Sequence, residues 1–162
     1  MKIRKLAGAL LLAVAAAACD NPFNNDRFQR EELARARALW DREGGPSYTF
    51  TLELQCYCAS GTSLDPVVVT VQNGQPVSRI YRKAKPADPT INASAEVFGP
   101  YDTVDELFEM IEDAIDRDAN ILQVGYNDVK GFPDVINVAM KGGASNDQRL
   151  LFISGFALTP AS

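Results

Sequence analysis

The residues from 47 to 58, SYTFTLELQCYC, alternate strictly between two kinds of side chain, and this pattern constrains the fold most. Aromatic, aliphatic and thiol side chains occupy the even positions, whereas Ser, Thr, Glu, Gln and one Tyr occupy the odd positions. Because successive side chains of a strand point to opposite faces, the stretch predicts a half-buried β-strand. Such a strand requires a sheet with one face in the core and one polar face.

Five more strands and two helices are predicted around it. A Val-rich stretch gives two strands joined at Asn73-Gly74, which is a strong hairpin signal, and ILQVGY, DVINVAM and LLFISGFAL give three more. RFQREELARARALWDREGG and TVDELFEMIEDAIDRD repeat apolar residues every three to four positions, and Thr103 with Glu106 predicts a capping box. Residues 84–101 show no clear period and are predicted to form a long loop.

The order helix, three strands, helix, three strands predicts an α+β fold. We expect a mostly antiparallel sheet of about six strands, covered on one face by the two helices. A duplicated αβββ unit is one way to produce this order, although only two glycine-proline pairs in corresponding places point to it.

The first 18 residues have the parts of an export signal. Lys2, Arg4 and Lys5 form a cationic start, and an uncharged run of 13 residues extends from Leu6 to Ala18. This run is shorter than the roughly 20 residues that span a bilayer, and it ends in alanines that suit signal cleavage. We therefore predict a signal peptide over 1–18, a tether over 19–27 and a single domain over 28–162.

Cys19 directly follows the predicted cleavage site. This arrangement resembles a bacterial lipoprotein signal, although Ala16 stands where Leu is usual. The resemblance implies that Cys19 is lipidated, becomes the mature N-terminus and anchors the protein to a membrane of the cell envelope, facing the periplasm or the exterior. Ordinary secretion after the same alanines is the alternative.

Cys56 and Cys58 are the two cysteines that remain if Cys19 carries lipid. Two neighbouring thiols in an oxidising compartment tend to pair, but residues i and i+2 of a flat strand lie about 6.6 Å apart, the outer limit for a disulfide. A bond requires the strand to bend or end there. Four interpretations stay open: a structural disulfide, two buried thiols, a redox-active pair and a metal site.

Charge and composition exclude several classes of function. Loss of residues 1–18 leaves 13 basic and 21 acidic residues, a net charge of −8, which argues against nucleic acid as a partner. The absence of histidine excludes Ser-His-Asp and Cys-His catalysis and imidazole zinc sites. No cofactor or catalytic residue is predicted.

Two groups of side chains with oxygen ligands are candidate sites. Asn127, Asp128 and Asp134 could offer oxygen ligands to calcium, but turn formation around Gly131 is the favoured interpretation. The carboxylates of the second helix are interpreted as its solvent face. A deep pocket with converging carboxylates would count against a non-enzymatic role.

Five elements together resemble a known family. They are the strand ending in Cys-aromatic-Cys, the Val-rich Asn-Gly hairpin, TVDELFEMIEDAI, VGYNDVKGFPDVINV and the closing apolar strand. Over about residues 30–158 the chain resembles an uncharacterised family of exported bacterial proteins, often lipoproteins, classed as a domain of unknown function. Asn127-Asp128 stands where members commonly have an Asp-Pro-like turn. The resemblance implies export, one small domain and no established activity.

The expected role is therefore binding or assembly in the cell envelope, without catalysis. The predicted contacts are the membrane, through the N-terminal lipid, and an unidentified envelope protein. That protein would contact one face of the sheet or the loop over 84–101. The rival hypotheses are a thiol-disulfide protein that uses Cys56 and Cys58, and a secreted inhibitor-like domain.

Overall fold

A computed structural model describes residues 25–56, 64–83, 93–142 and 148–159. Six strands alternate with helices in the predicted order. The helices are α1 (Asn25–Glu43), α2 (Ala95–Phe98), a 3-10 turn (Gly99–Tyr101) and α3 (Val104–Asp116). The strands are β1 (Tyr48–Cys56), β2 (Val67–Gln72), β3 (Gln75–Tyr81), β4 (Ile121–Tyr126), β5 (Pro133–Ala139) and β6 (Arg149–Leu158).

All six strands form one antiparallel sheet in the order β3-β2-β1-β6-β5-β4. The longest strands, β1 and β6, lie at the centre and pair along most of their length. A bulge opposite Thr49 and Thr51 shifts their register, and Gly155, at φ +59°, lies in the corresponding part of β6. The α+β prediction with an antiparallel sheet of about six strands is confirmed.

Both long helices cover the same face of the sheet. On α1, the Trp40 ring meets the Tyr48 ring edge-on at 5.3 Å. At the start of α3, the Val104 amide donates a 2.9 Å hydrogen bond to the Tyr48 hydroxyl. Apolar side chains from the helices and from alternate positions of the strands form one buried core between them.

The alternation in β1 produces its predicted core face. Tyr48, Phe50, Leu52 and Leu54 are all buried, whereas Thr49, Thr51, Glu53 and Gln55 are half-exposed. The predicted capping box is also present, because the Thr103 side chain accepts from the Glu106 amide and the Glu106 side chain accepts from the Thr103 amide. The six apolar residues predicted for one stripe of α3 are buried.

Two boundaries differ from the sequence prediction. α1 begins at Asn25, so the last three residues of the predicted tether over 19–27 are already helical. Asn and Asp favour positions just before a helix, but Asp26 in the first turn also interacts favourably with the helix dipole. The predicted loop over 84–101 contains α2 and the 3-10 turn, which are too short to show a period.

The strand order does not show the symmetry that a duplicated αβββ unit would produce. β1, the first strand of the first half, is central, whereas β4, the first strand of the second half, is at an edge. Across the sheet both halves run in the same sense, from their third strand to their first, but β1 and β4 point in opposite directions because every neighbouring pair is antiparallel. Since both long helices cover the same face, no rotation superimposes one half on the other.

Candidate functional site

In the described ranges, no helix lies over the face of the sheet opposite α1 and α3, and we call this face the open face. Its side chains come from the positions that alternate with the core positions and from their cross-strand partners. We define it by sixteen of these residues: Thr49, Thr51, Glu53, Gln55, Val68, Thr70, Ser78, Ile80, Ile121, Gln123, Val135, Asn137, Ala139, Leu150, Phe152 and Ser154.

Six large apolar side chains lie on the open face, outside the buried core cluster. They form two groups, one on β2 and β3 and the other on the three strands from β4 to β6. They are Val68, Ile80, Ile121, Val135, Leu150 and Phe152. Glu53 is the one charged residue among the sixteen that define the face. An uncharged face with partly exposed apolar side chains is typical of a contact surface.

Amide side chains connect three strands across this face. The Gln148 side chain donates a 2.7 Å hydrogen bond to Asn137, whose amide group donates a 3.0 Å bond to Gln123. On β1, Gln55 donates a 2.8 Å bond to the Glu53 carboxylate. These bonds orient the polar side chains between the two apolar groups, and they leave the face neutral apart from Glu53.

A second cluster lies on the helix-covered side, where α3 begins. Arg79 of β3 forms an ion pair with Asp102, whose side chain is only 1% exposed. Glu106 Oε2 accepts hydrogen bonds from the backbone amides of Asp102 and Thr103, at 3.2 and 3.0 Å. The cluster thus joins an edge strand of the sheet to the first turn of α3.

The pKa of Glu106 is raised above its ordinary value. Burial is the largest cause, followed by a hydrogen bond to the Asp102 side chain and by the negative charge of Asp102. Oδ1 of Asp102 is buried and accepts no hydrogen bond from the residues that the structure describes. A protonated Glu106 can donate to the Asp102 side chain, so the cluster favours the neutral acid.

A cleft of about 450 Å³ lies beside this cluster. It is lined by α3, by the residues before it and by the adjacent ends of β5 and β6: Pro100, Tyr101, Glu106, Glu109, Met110, Asp113, Arg117, Val138, Met140 and Arg149. Three carboxylates therefore converge on one cleft, an arrangement that weighs against a purely non-enzymatic role. Two of the three have structural partners, since Glu106 caps α3 and Asp113 accepts a 2.9 Å bond from Arg117.

The three cysteines predicted as modification or pairing sites lie largely outside the described residues. Of Cys56, only the backbone is described: it ends β1 and lies opposite Arg149 of β6. Cys19 and Cys58 fall outside the described ranges. Because residues 57–63 lie outside the described ranges, the pairing of Cys56 with Cys58 stays a prediction.

The Asn127 turn is built as the favoured interpretation expects. Asn127 Oδ1 accepts from the amides of Val129 and Lys130, and Gly131 adopts φ +82°. The Asn127 side chain therefore caps its own turn. In the part of the chain that the structure describes, no group of three or more Cys, Asp or Glu side chains is placed to hold a metal ion.

Sequence reasoning missed the Arg79–Asp102 ion pair. Asp102 stands one residue before the capping Thr103 and looks like one of many acidic residues near α3, while Arg79 belongs to a strand that is 23 positions earlier. Only the pairing of β3 with the loop before α3 brings the two together.

None of the helices in the described ranges combines the length and apolar character needed to cross a bilayer.

Fold and surfaces define a small α+β domain with one covered and one open sheet face. The chain belongs to a family of unknown function, DUF6174, which matches residues 32–158. No curated protein and no solved structure matched the chain. The family match confirms the predicted membership in an uncharacterised family over almost the same range.

Proposed function

We propose that this protein is a lipid-anchored binding module of the cell envelope that contacts a partner through the open face, without catalysis. The anchor is the acylated Cys19, as the leader and its alanines suggest. The partner is an envelope protein whose contact surface is largely uncharged and partly apolar.

The character of the open face is the observation that carries this proposal. After loss of the leader, 34 of 144 residues would be charged. Of the sixteen residues that define this face, only Glu53 is charged. Six large apolar side chains are partly exposed there, on the surface of a protein that is otherwise rich in charged residues. A face that excludes charge and retains apolar area suits a protein partner.

The absence of histidine from the whole sequence supports a non-catalytic role, because it removes the commonest general base. In the cleft beside α3, burial raises the pKa of Glu106, and its Oε2 accepts two backbone hydrogen bonds of the helix cap. This carboxyl group therefore helps to hold the start of α3 in place.

Site-specific photocrosslinking in the native cell tests the proposal. A crosslinking amino acid replaces Phe152 or Ile80 on the open face, and matched controls replace Ala38 on the outside of α1 or Glu109 at the cleft. We expect a defined protein adduct, identified by mass spectrometry, from the two open-face positions alone. No adduct from Phe152 and Ile80, or adducts only from Ala38 or Glu109, would overturn the assignment of the open face.

A further inference from the structure

The two edge strands of the sheet, β3 and β4, differ in sequence. β3 contains Pro76 and Arg79, and the Arg79 carbonyl accepts a 2.6 Å hydrogen bond from the Ala93 amide. Proline, a charged side chain and a covering segment are devices that keep an edge strand from pairing with another chain. β4 has the sequence ILQVGY, with no proline and no charged residue. The β4 edge therefore lacks the proline and the charge that protect β3.

The pairing of β4 with β5 shows which backbone groups of β4 point outward. Tyr126 pairs with Pro133, which has no amide hydrogen, so these two residues cannot exchange a pair of hydrogen bonds. The next pair is bonded, because the Asn127 amide donates a 2.9 Å bond to the Phe132 carbonyl. Bonded and non-bonded pairs alternate along an antiparallel strand, and the bulge at this end adds its extra residue to β5. The outward N–H and C=O groups of β4 therefore belong to Leu122, Val124 and Tyr126.

The Gln29 side chain of α1 already uses one of these outward groups. Its amide donates a 3.1 Å hydrogen bond to the Leu122 carbonyl, which agrees with the outward direction of that carbonyl. Within the described ranges, the outward groups of Val124 and Tyr126 bond to no other residue. Gln29 thus blocks the first half of the β4 edge and leaves the second half open.

A groove of about 230 Å³ lies between the open half of β4 and α1. Val124 and Tyr126 line it on the strand side, and Phe28, which is 59% exposed, lines it on the helix side. Glu32 is the one charged residue of the lining, and it forms an ion pair with Arg35. An edge strand beside a groove is an arrangement that accepts an extended peptide as an additional strand, with alternate side chains in the groove.

Two carboxylates lie at the Tyr126 end of this edge. Asp134 Oδ1 lies 2.8 Å from the position that a Cβ atom of Gly125 would occupy, on the open-face side of β4. Asp128 is exposed in the turn that follows the strand. Neither carboxylate forms an ion pair with another residue that the structure describes. A segment with a basic side chain on this side is therefore complementary in charge.

We propose that the β4 edge binds an extended peptide segment of a partner protein by strand addition. The segment pairs with the outward groups of Val124 and Tyr126 and places apolar side chains at alternate positions in the groove. On its other side it carries a basic residue that faces Asp134. This site goes beyond the proposed function, since it requires neither the lipid nor the open face.

A second copy of this chain suits the edge less well than such a segment. Gln29 blocks one end of the edge against a strand as long as the six residues of β4. β4 has no basic residue to offer to Asp134, and a second copy brings the same net negative charge.

Peptide binding tests the proposal on the chain from residue 19 onward, with Cys19→Ser to prevent lipidation. The probes are capped, fluorescently labelled hexapeptides with Val, Ile, Leu or Phe at alternate positions and Thr or Gln between them. Each is made with one Lys or one Glu among the polar positions. We expect fluorescence polarisation to show saturable, micromolar binding that is tighter with Lys than with Glu. Asp134→Asn should weaken binding of the Lys peptides about twofold to fivefold, whereas the control Asp118→Asn should not.

Two further changes test pairing through the backbone. Val124→Pro removes an outward N–H group but no bond to β5, because proline is tolerated on the free side of an edge strand. It should weaken binding about tenfold, whereas Val77→Ala, at a 51% exposed position of the other edge, should have no effect. N-methylation of the peptide should abolish binding at alternate positions only. Circular dichroism checks the fold of Val124→Pro, and the N-methylated peptides decide alone if that variant does not fold.

Several results would overturn strand addition. They are the absence of binding by any of the peptides, equal effects of N-methylation at all positions, and an effect of a folded Val124→Pro no larger than that of Val77→Ala. Dimers in sedimentation velocity that Val124→Pro abolishes would assign the edge to a second copy instead. An unacylated Cys19, or an open face without crosslinks, would overturn the proposed function but leave peptide binding intact, so the two failures are distinguishable.

Discussion

The Tyr48 hydroxyl accepts a 2.9 Å hydrogen bond from the backbone amide of Val104 and so ties the first strand to the first residue of α3. The amide lies in the first turn of a helix, where no backbone carbonyl is available to it. Burial raises the pKa of Tyr48 to about 12, which keeps the hydroxyl neutral. One side chain thus ties a central strand of the sheet to the start of α3.

Replacement of Tyr48 by Phe should lower the free energy of unfolding by about 1–3 kcal/mol, because it leaves the Val104 amide buried without an acceptor. Urea denaturation measures the loss. Tyr126→Phe is the control, since no hydrogen bond of the Tyr126 hydroxyl is found in the described part of the chain, and it should change stability by less than about 0.5 kcal/mol. Equal effects of the two substitutions would contradict the assigned role of Tyr48.

Substitution of Asp102 by Asn should cost about 3–5 kcal/mol, because it leaves the Arg79 cation largely buried beside a neutral group. The control is Asp118→Asn, which breaks an ion pair with Lys141 in which both side chains are mostly exposed. That substitution should stay within about 0.5 kcal/mol of the parent protein. Chemical denaturation measures the loss in free energy of unfolding for both variants. Equal losses for Asp102→Asn and Asp118→Asn would contradict the account.

Glu106 should make stability depend on pH above its ordinary pKa of 4.5. Its pKa is raised in the folded state, so its contribution is fully present below pH 4.5 and is lost as the pH rises through the folded-state value. Glu106→Gln keeps an acceptor for the capping box and should flatten this dependence. Denaturation midpoints measured from pH 4 to 8 provide the test, and an unchanged slope in Glu106→Gln would contradict it.

Gly131 should be among the least replaceable residues of the domain. A Cβ atom there would clash with the Ala36 carbonyl oxygen and lie 2.8 Å from the Trp40 amide nitrogen, both in the backbone of α1. Gly74 has a similar φ, +74°, in open space, so Gly74→Ala should cost only the roughly 1–2 kcal/mol of a left-handed conformation. Gly131→Ala should cost about 1–3 kcal/mol more, by thermal or urea unfolding. Equal losses would contradict the close contact.

The fold could be predicted because its signals are local and repeat many times. The alternation in β1, the Asn73-Gly74 turn and the Thr103–Glu106 capping box each involve neighbouring residues, and the structure confirms all three. The prediction failed where an element is too short for a period, as in α2.

The candidate surfaces were less predictable because they depend on the strand order. Sequence alone assigns Glu53 and Gln55 to a polar face, but it does not place Phe152 and Val135 beside them. The pairing of β1 with β6, about a hundred residues later, creates the mixed apolar and polar open face. Arg79 and Asp102 could not be matched in advance for a similar reason, because only the approach of β3 to the segment before α3 brings them together.

Intact mass spectrometry of the protein isolated from native membranes tests the anchored role most directly. We predict a mature chain that begins at Cys19 and carries the added mass of acyl chains on that residue. A mature chain of unmodified mass, or one that retains residues 1–18, would contradict the anchored role.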